Sequence, residues 1–78
     1  MIVYEIMVED TSSFQNFWWN GTEFGPDVPD FVPDETNIGA EREKALACFR
    51  KGPKGRKLSI YAYDVDEDVE KLVYKEEI

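Results

Sequence analysis

Ala45-Leu46-Ala47-Cys48-Phe49-Arg50-Lys51-Gly52-Pro53-Lys54-Gly55-Arg56-Lys57-Leu58-Ser59-Ile60-Tyr61-Ala62-Tyr63 changes its apolar period in the middle. Before Gly52, the apolar residues Ala45, Leu46 and Phe49 fall at helical spacing and mark one buried stripe. After Lys57, the residues Leu58, Ile60 and Ala62 alternate with Ser59, Tyr61 and Tyr63, the period of a half-buried strand. Gly52-Pro53 separates the two, and that pair stops a helix. One helix feeding one strand, in a chain this short, predicts an α+β domain.

Working upstream, the helix is expected over about 38–51. Ile38 extends its stripe, although Arg42 falls in the same stripe. Acids lead (Glu41, Glu43) and cations close (Arg50, Lys51), which suits the helix dipole. Working downstream, Asp66-Glu67-Asp68 reads as a turn, and Val69 to Lys75 as a returning strand. A C-terminal hairpin is therefore expected over about 57–76. At the other end, Ile2, Tyr4, Ile6 and Val8 alternate with Val3, Glu5, Met7 and Glu9 as a first strand, closed by the polar turn Asp10-Thr11-Ser12-Ser13. Phe14 to Trp19 reads as a second strand. Asn20-Gly21 reads as a type I′ hairpin turn, with Thr22-Glu23-Phe24 continuing beyond it. Gly25 to Thr36 is a loop in which Pro26, Pro29 and Pro33 each precede an aspartate. The order is β-β-β-α-β-β. It implies a small two-layer domain over 1–78, a mainly antiparallel sheet with one helix on one face.

Charge is banded along this frame. Met1 to Glu41 holds nine carboxylates and no Lys or Arg, and Arg42 to Lys57 holds seven of the nine cations. The tail from Leu58 is acidic again. A net charge of −8 disfavours free nucleic acid and anionic membrane, and favours a basic protein surface as partner. One cysteine and no histidine leave no disulfide, no cysteine-rich zinc site and no imidazole base, so neither metal nor cofactor is expected. Cys48 has no paired base that would make it a nucleophile. The N-terminal run has no signal-peptide pattern, and nothing approaches the ~18 apolar residues of a membrane span. A cytoplasmic protein is expected, since small secreted domains usually carry disulfides.

Three motif-like stretches dissolve on inspection. Asn20-Gly21-Thr22 matches a glycosylation sequon, but it falls on the expected hairpin turn. Asp64-Val65-Asp66-Glu67-Asp68 opens like a calcium loop, yet Val69 and Lys75 occupy the places that need Gly and Glu. Arg50 to Lys57 invites a phosphate, but it lies at a helix C-terminus, where the dipole opposes anions.

Phe17-Trp18-Trp19 is the most unusual local run. Successive side chains in a strand point to opposite faces, and one helix covers one face only. One tryptophan is therefore expected in the core and the other at a partner contact. The leading expectation is a non-enzymatic interaction module that engages a basic surface through Trp18, Trp19, Glu23, Asp27, Asp30, Phe31 and Asp34. Its specific form would be an inhibitor or nucleic-acid mimic of the accessory kind found in compact genomes. The alternative is anion or nucleic-acid binding through Arg50, Lys51, Lys54, Arg56 and Lys57, with Tyr61 or Tyr63. A third expectation is self-association through the uncovered sheet face as a homodimer.

Overall fold

The computed structural model describes all residues, Met1–Ile78. Five strands form one antiparallel sheet: β1 (Ile2–Asp10), β2 (Gln15–Trp19), β3 (Phe24–Gly25), β4 (Arg56–Asp64) and β5 (Val69–Glu77). Their spatial order is β3-β2-β1-β4-β5, and the single helix α1 (Ile38–Lys51) lies between β3 and β4 in sequence. The α+β class, the element order and the helix bounds are as the periodicity predicts.

Register decides the faces. Ile6 pairs with Ile60 and Val8 with Leu58, while Val8 also faces Phe17 of β2. One face therefore gathers Ile6, Val8, Trp19, Leu58 and Ile60, and α1 lays Ala45, Leu46 and Phe49 on it as the core. The same alternation sends Val3, Glu5, Trp18, Tyr61 and Tyr63 to the other face, which no helix covers.

Three local expectations are corrected. The second strand starts at Gln15, because Phe14 adopts φ 59° at the end of a turn and is exposed. Asp10 builds that turn by accepting the Ser12 amide at 3.0 Å and the Ser12 hydroxyl at 2.7 Å. The Asn20-Gly21 link is not a two-residue turn. Trp19 pairs with Phe24, so the loop holds residues 20–23, and only Gly21 takes a left-handed φ of 100°. Asn20 closes it with its side chain, accepting the Thr22 and Glu23 amides at 2.9 Å each. That Asx geometry replaces the backbone demand that Asn-Gly meets in a tight hairpin. The third strand is consequently only Phe24–Gly25.

Arg42 does not disrupt the early helix start. Its guanidinium lies 4.3 Å from the Tyr74 ring centroid, so the charge stacks at the edge of the stripe. Two turns on, Arg50 forks onto Glu76 with two bonds of 2.8 Å, and the Tyr74 hydroxyl donates to the same carboxylate at 2.6 Å. These contacts tie the outer strand to α1 and hold the Glu76 carboxyl down at about 2. A bulge between Ile60 and Tyr61, with Val73 as the extra residue opposite, interrupts the β4–β5 register.

The proline-spaced segment is a strap. It leaves β3 at one side of the sheet and returns to β1, where the Tyr4 amide donates to the Pro33 carbonyl at 2.8 Å and Val3 bridges Asp34. The β1–β2 pairing ends at Met7–Trp18, so the strap takes up the part of β1 that β2 does not reach. Asp34 then turns the chain into the helix. Its carboxylate accepts the Thr36 amide at 2.8 Å, while Asn37 accepts the Asp34 amide at 2.8 Å.

Candidate functional site

The Trp18–Trp19 pair is resolved by the register. Trp19 is 4% exposed, and its indole Nε1 donates to Glu41 at 3.0 Å. Glu41 is itself only 8% exposed and also takes Lys44 Nζ at 2.8 Å. These two donors, Lys44 first, pull the Glu41 carboxyl below its usual range. Trp19 is therefore withdrawn from the expected contact set: it is the core tryptophan and it satisfies a buried acid. Trp18 points to the uncovered face and is half-buried there.

What half-buries Trp18 is the strap. Between the strap and the open face lies a groove of ≈ 220 Å³. Trp18, Tyr61 and Tyr63 contribute from the sheet, and Val28, Phe31 and Val32 from the strap. Phe31 also packs against the core and lies close to Gly21, where an added Cβ would come to 3.6 Å from its ring. Val28 and Val32 are exposed at the rim, apolar residues facing water beside an apolar groove. The charged residues lining the groove are Glu5 and Glu70, with no Lys or Arg among them. Neither acid forms a salt bridge. Glu5 sits opposite Tyr61 across the β1–β4 ladder. Glu5 is solvent-exposed as a residue, but partial desolvation of its carboxyl against the groove, and then repulsion from Glu70, push that carboxyl above the ordinary value. Tyr63 donates its hydroxyl to Asp68, which raises the phenol and fixes the ring at the groove's end.

The other expected contact residues do not all gather at this groove, and Glu23 lines a separate hollow with Phe24, Cys48 and Phe49. Asp27 and Asp30 are exposed on the strap, next in sequence to Val28 and Phe31. Glu23 is exposed in the 20–23 loop. Asp34 is half-buried and engaged with Thr36, whose bonds lower its carboxyl. Trp18, Phe31, Asp27 and Asp30 thus share one region, while Asp34 serves the helix entry.

The basic segment is largely paired within the chain. Arg50 is clamped on Glu76. Arg56 stacks 4.7 Å from the Phe17 centroid, with Asp10 at 3.9 Å, and Lys57 lies 3.9 Å from Glu9. Only Lys51 and Lys54 of the five carry no carboxylate contact. Arg50 rides on the helix side, whereas Tyr61 and Tyr63 face the opposite way. By the alternation of β4, Lys57 shares the face of Tyr61 and Tyr63, while Arg56 shares that of Leu58 and Ile60, so the cations are divided between the two faces of the sheet.

Sequence reasoning missed Glu5, Glu70, Val28 and Val32 as site residues. The alternation of β1 does put Glu5 on the face away from Ile6, so half of the signal was present. The other half, that the strap crosses that face, depends on the Pro33–Tyr4 bond and has no local sequence signature.

No protein-family model, curated protein or solved structure matches this chain.

Proposed function

We propose that this chain is a small, acidic, non-enzymatic interaction module that engages a basic partner surface. The observation that carries this reading is the strap-roofed groove, an aromatic and apolar cleft whose lining charges are both negative and both unpaired. Monomeric proteins seldom leave such a surface unused, and aromatic residues with little competing charge are what interface centres favour. Asp27 and Asp30 on the exposed strap extend the negative field around the groove. An inhibitor or nucleic-acid mimic is the form of this reading in which the partner's basic surface is itself a nucleic-acid site.

The test is a calorimetric titration with a basic peptide and with an acidic peptide of equal length, at low salt and at 1 M salt. The basic peptide binds at low salt and is weakened by salt, and the acidic peptide does not bind. Absence of basic-peptide binding at low salt overturns the proposal.

Self-association has an observation of its own. β5 is a nine-residue edge strand that exposes Val69, Leu72 and Val73 among five charged residues, and the unpaired backbone of a long edge strand is a template for pairing. Light scattering over a concentration series decides this second reading. A monomer throughout removes it.

A further inference from the structure

We infer that the groove beneath the strap receives an arginine side chain: a guanidinium presented by a basic partner enters among Trp18, Tyr61 and Tyr63 and meets Glu5 and Glu70. This deepens the basic-partner proposal and rests on it.

Four observations converge on this occupant. The first is charge. Glu5 and Glu70 are the groove's charged lining residues, and no cation of the chain pairs with either. Partial desolvation and their mutual repulsion raise the Glu5 carboxyl. A cation between them relieves that repulsion, whereas an anion or a neutral apolar group leaves it in place.

The second is the wall. Three aromatic side chains converge on one small space, and aromatic faces attract cations through their quadrupole. The third is the rim. Val28, Phe31 and Val32 offer an apolar surface along which a methylene stem can lie while its charged head goes inward. At ≈ 220 Å³ the groove has room for a side chain and not for a folded element.

The fourth observation separates arginine from lysine. Guanidinium is planar, more weakly hydrated than ammonium, stacks on rings and forks onto carboxylates. This chain already packs its own arginines in that manner. Arg42 lies 4.3 Å from the Tyr74 centroid and Arg56 lies 4.7 Å from that of Phe17. Arg50 forks onto Glu76 with both bonds at 2.8 Å. The groove repeats those two elements, rings and carboxylates, without the arginine.

The two indoles provide an internal control. Both indoles border the groove, but Trp18 is half-buried on the open face, whereas Trp19 is 4% exposed with its N–H bonded to Glu41. The full chain, labelled with ¹⁵N, is titrated with octa-arginine, octa-lysine and ethylguanidinium while both indole N–H signals are followed. The Trp18 signal is expected to move saturably with octa-arginine and with millimolar ethylguanidinium, and that of Trp19, whose N–H is held by Glu41, to move much less. Octa-lysine binds the groove several-fold more weakly. Glu5→Gln lowers the octa-arginine affinity by roughly threefold or more, and Trp18→Ala by roughly fivefold. Circular dichroism and a melting curve establish that each variant is folded, and Glu5→Gln keeps the test valid if Trp18→Ala does not fold.

If both peptides bind but Trp18 stays still, the basic-partner proposal stands and the arginine site is wrong. Equal shifts with octa-arginine and octa-lysine also overturn the choice of arginine. If the Trp18 signal depends on protein concentration without ligand, a second copy occupies the groove and the inference fails. If neither peptide binds, both the inference and the proposal it rests on are overturned.

Discussion

A tryptophan indole bonded to a buried glutamate is an expensive arrangement to leave half-made. Trp19→Phe keeps the ring in the core but removes the donor to Glu41, which is 8% exposed. Lys44 then remains as the carboxylate's partner. An unsatisfied buried acceptor costs about 1–3 kcal/mol, so the melting temperature should fall by roughly 4–8 °C per kcal/mol for a domain of this size. The variant should also titrate Glu41 at higher pH in a ¹³C carboxyl NMR experiment. A melting curve identical to that of the parent would mean the indole bond contributes nothing. Glu5 behaves in the opposite sense. Its folded carboxyl is raised by partial desolvation and by Glu70, so its proton binds more tightly in the folded than in the unfolded chain. The associated stability is present below the unfolded value of about 4.3 and is lost as pH rises through the higher folded value. Glu5→Gln should therefore raise the melting temperature at pH 7, and the gain should vanish near pH 3.5. An unchanged or lower melting temperature at pH 7 would remove the picture of a destabilising charge kept at the groove.

The elements differ in how far their neighbours can be read locally. Helix α1 carries its own stripe, terminal charges and stop signal, and β1 and β4 carry clean alternation, so their faces and bounds were legible in the sequence. The outcome for Arg42 shows why one misplaced charge in a stripe is weak grounds for shortening a helix: a long side chain can bend out over an aromatic ring at the edge. The 20–23 loop was misread because Asn-Gly predicts a type I′ turn by backbone need, whereas here the Asn20 side chain bonds two amides and lengthens the loop. The strap was legible as an extended, proline-spaced segment, but its course was not. Its attachment depends on a bond between residues 29 positions apart, the Tyr4 amide to the Pro33 carbonyl, and on Phe31 packing into the core. That attachment is testable without a global readout. Phe31→Ala removes a half-buried ring, with a loss of about 2 kcal/mol. It should accelerate hydrogen exchange of the Tyr4 amide more than that of amides in the central β1–β4 ladder. Equal acceleration at both places would mean that the strap is not a separately opening unit.

At the scale of the whole molecule, the acidic–basic–acidic banding becomes a pattern of local compensation. The basic band does lie together, where α1 ends and β4 begins, but Asp10, Glu9 and Glu76 meet it there. Glu5 and Glu70 in the groove, and Asp27 and Asp30 on the strap, have no such partner. The sequence could show the bands but not this pairing, because the pairing follows from strand register. One consequence concerns salt, and it separates stability from binding. A net charge of −8 on 78 residues repels itself and weakens the compact state. Screening shortens the range of charge interactions from about 30 Å at 0.01 M to about 8 Å at 0.15 M, so it removes the long-range repulsion first. Two of the side-chain ion pairs are already loose at 3.9 Å, and exposed pairs contribute little, typically below about 1 kcal/mol. The melting temperature should therefore rise between 0.01 and about 0.3 M NaCl. The affinity for a basic peptide should fall over the same range, because there the lost interaction is an attraction. Thermal melts along one NaCl series, with and without octa-arginine, read both slopes on the same sample. A melting temperature that falls with salt would mean that the internal ion pairs outweigh the net repulsion. A peptide-induced stabilisation that survives high salt would place the binding energy in the aromatic groove walls and remove the acidic surface from the account.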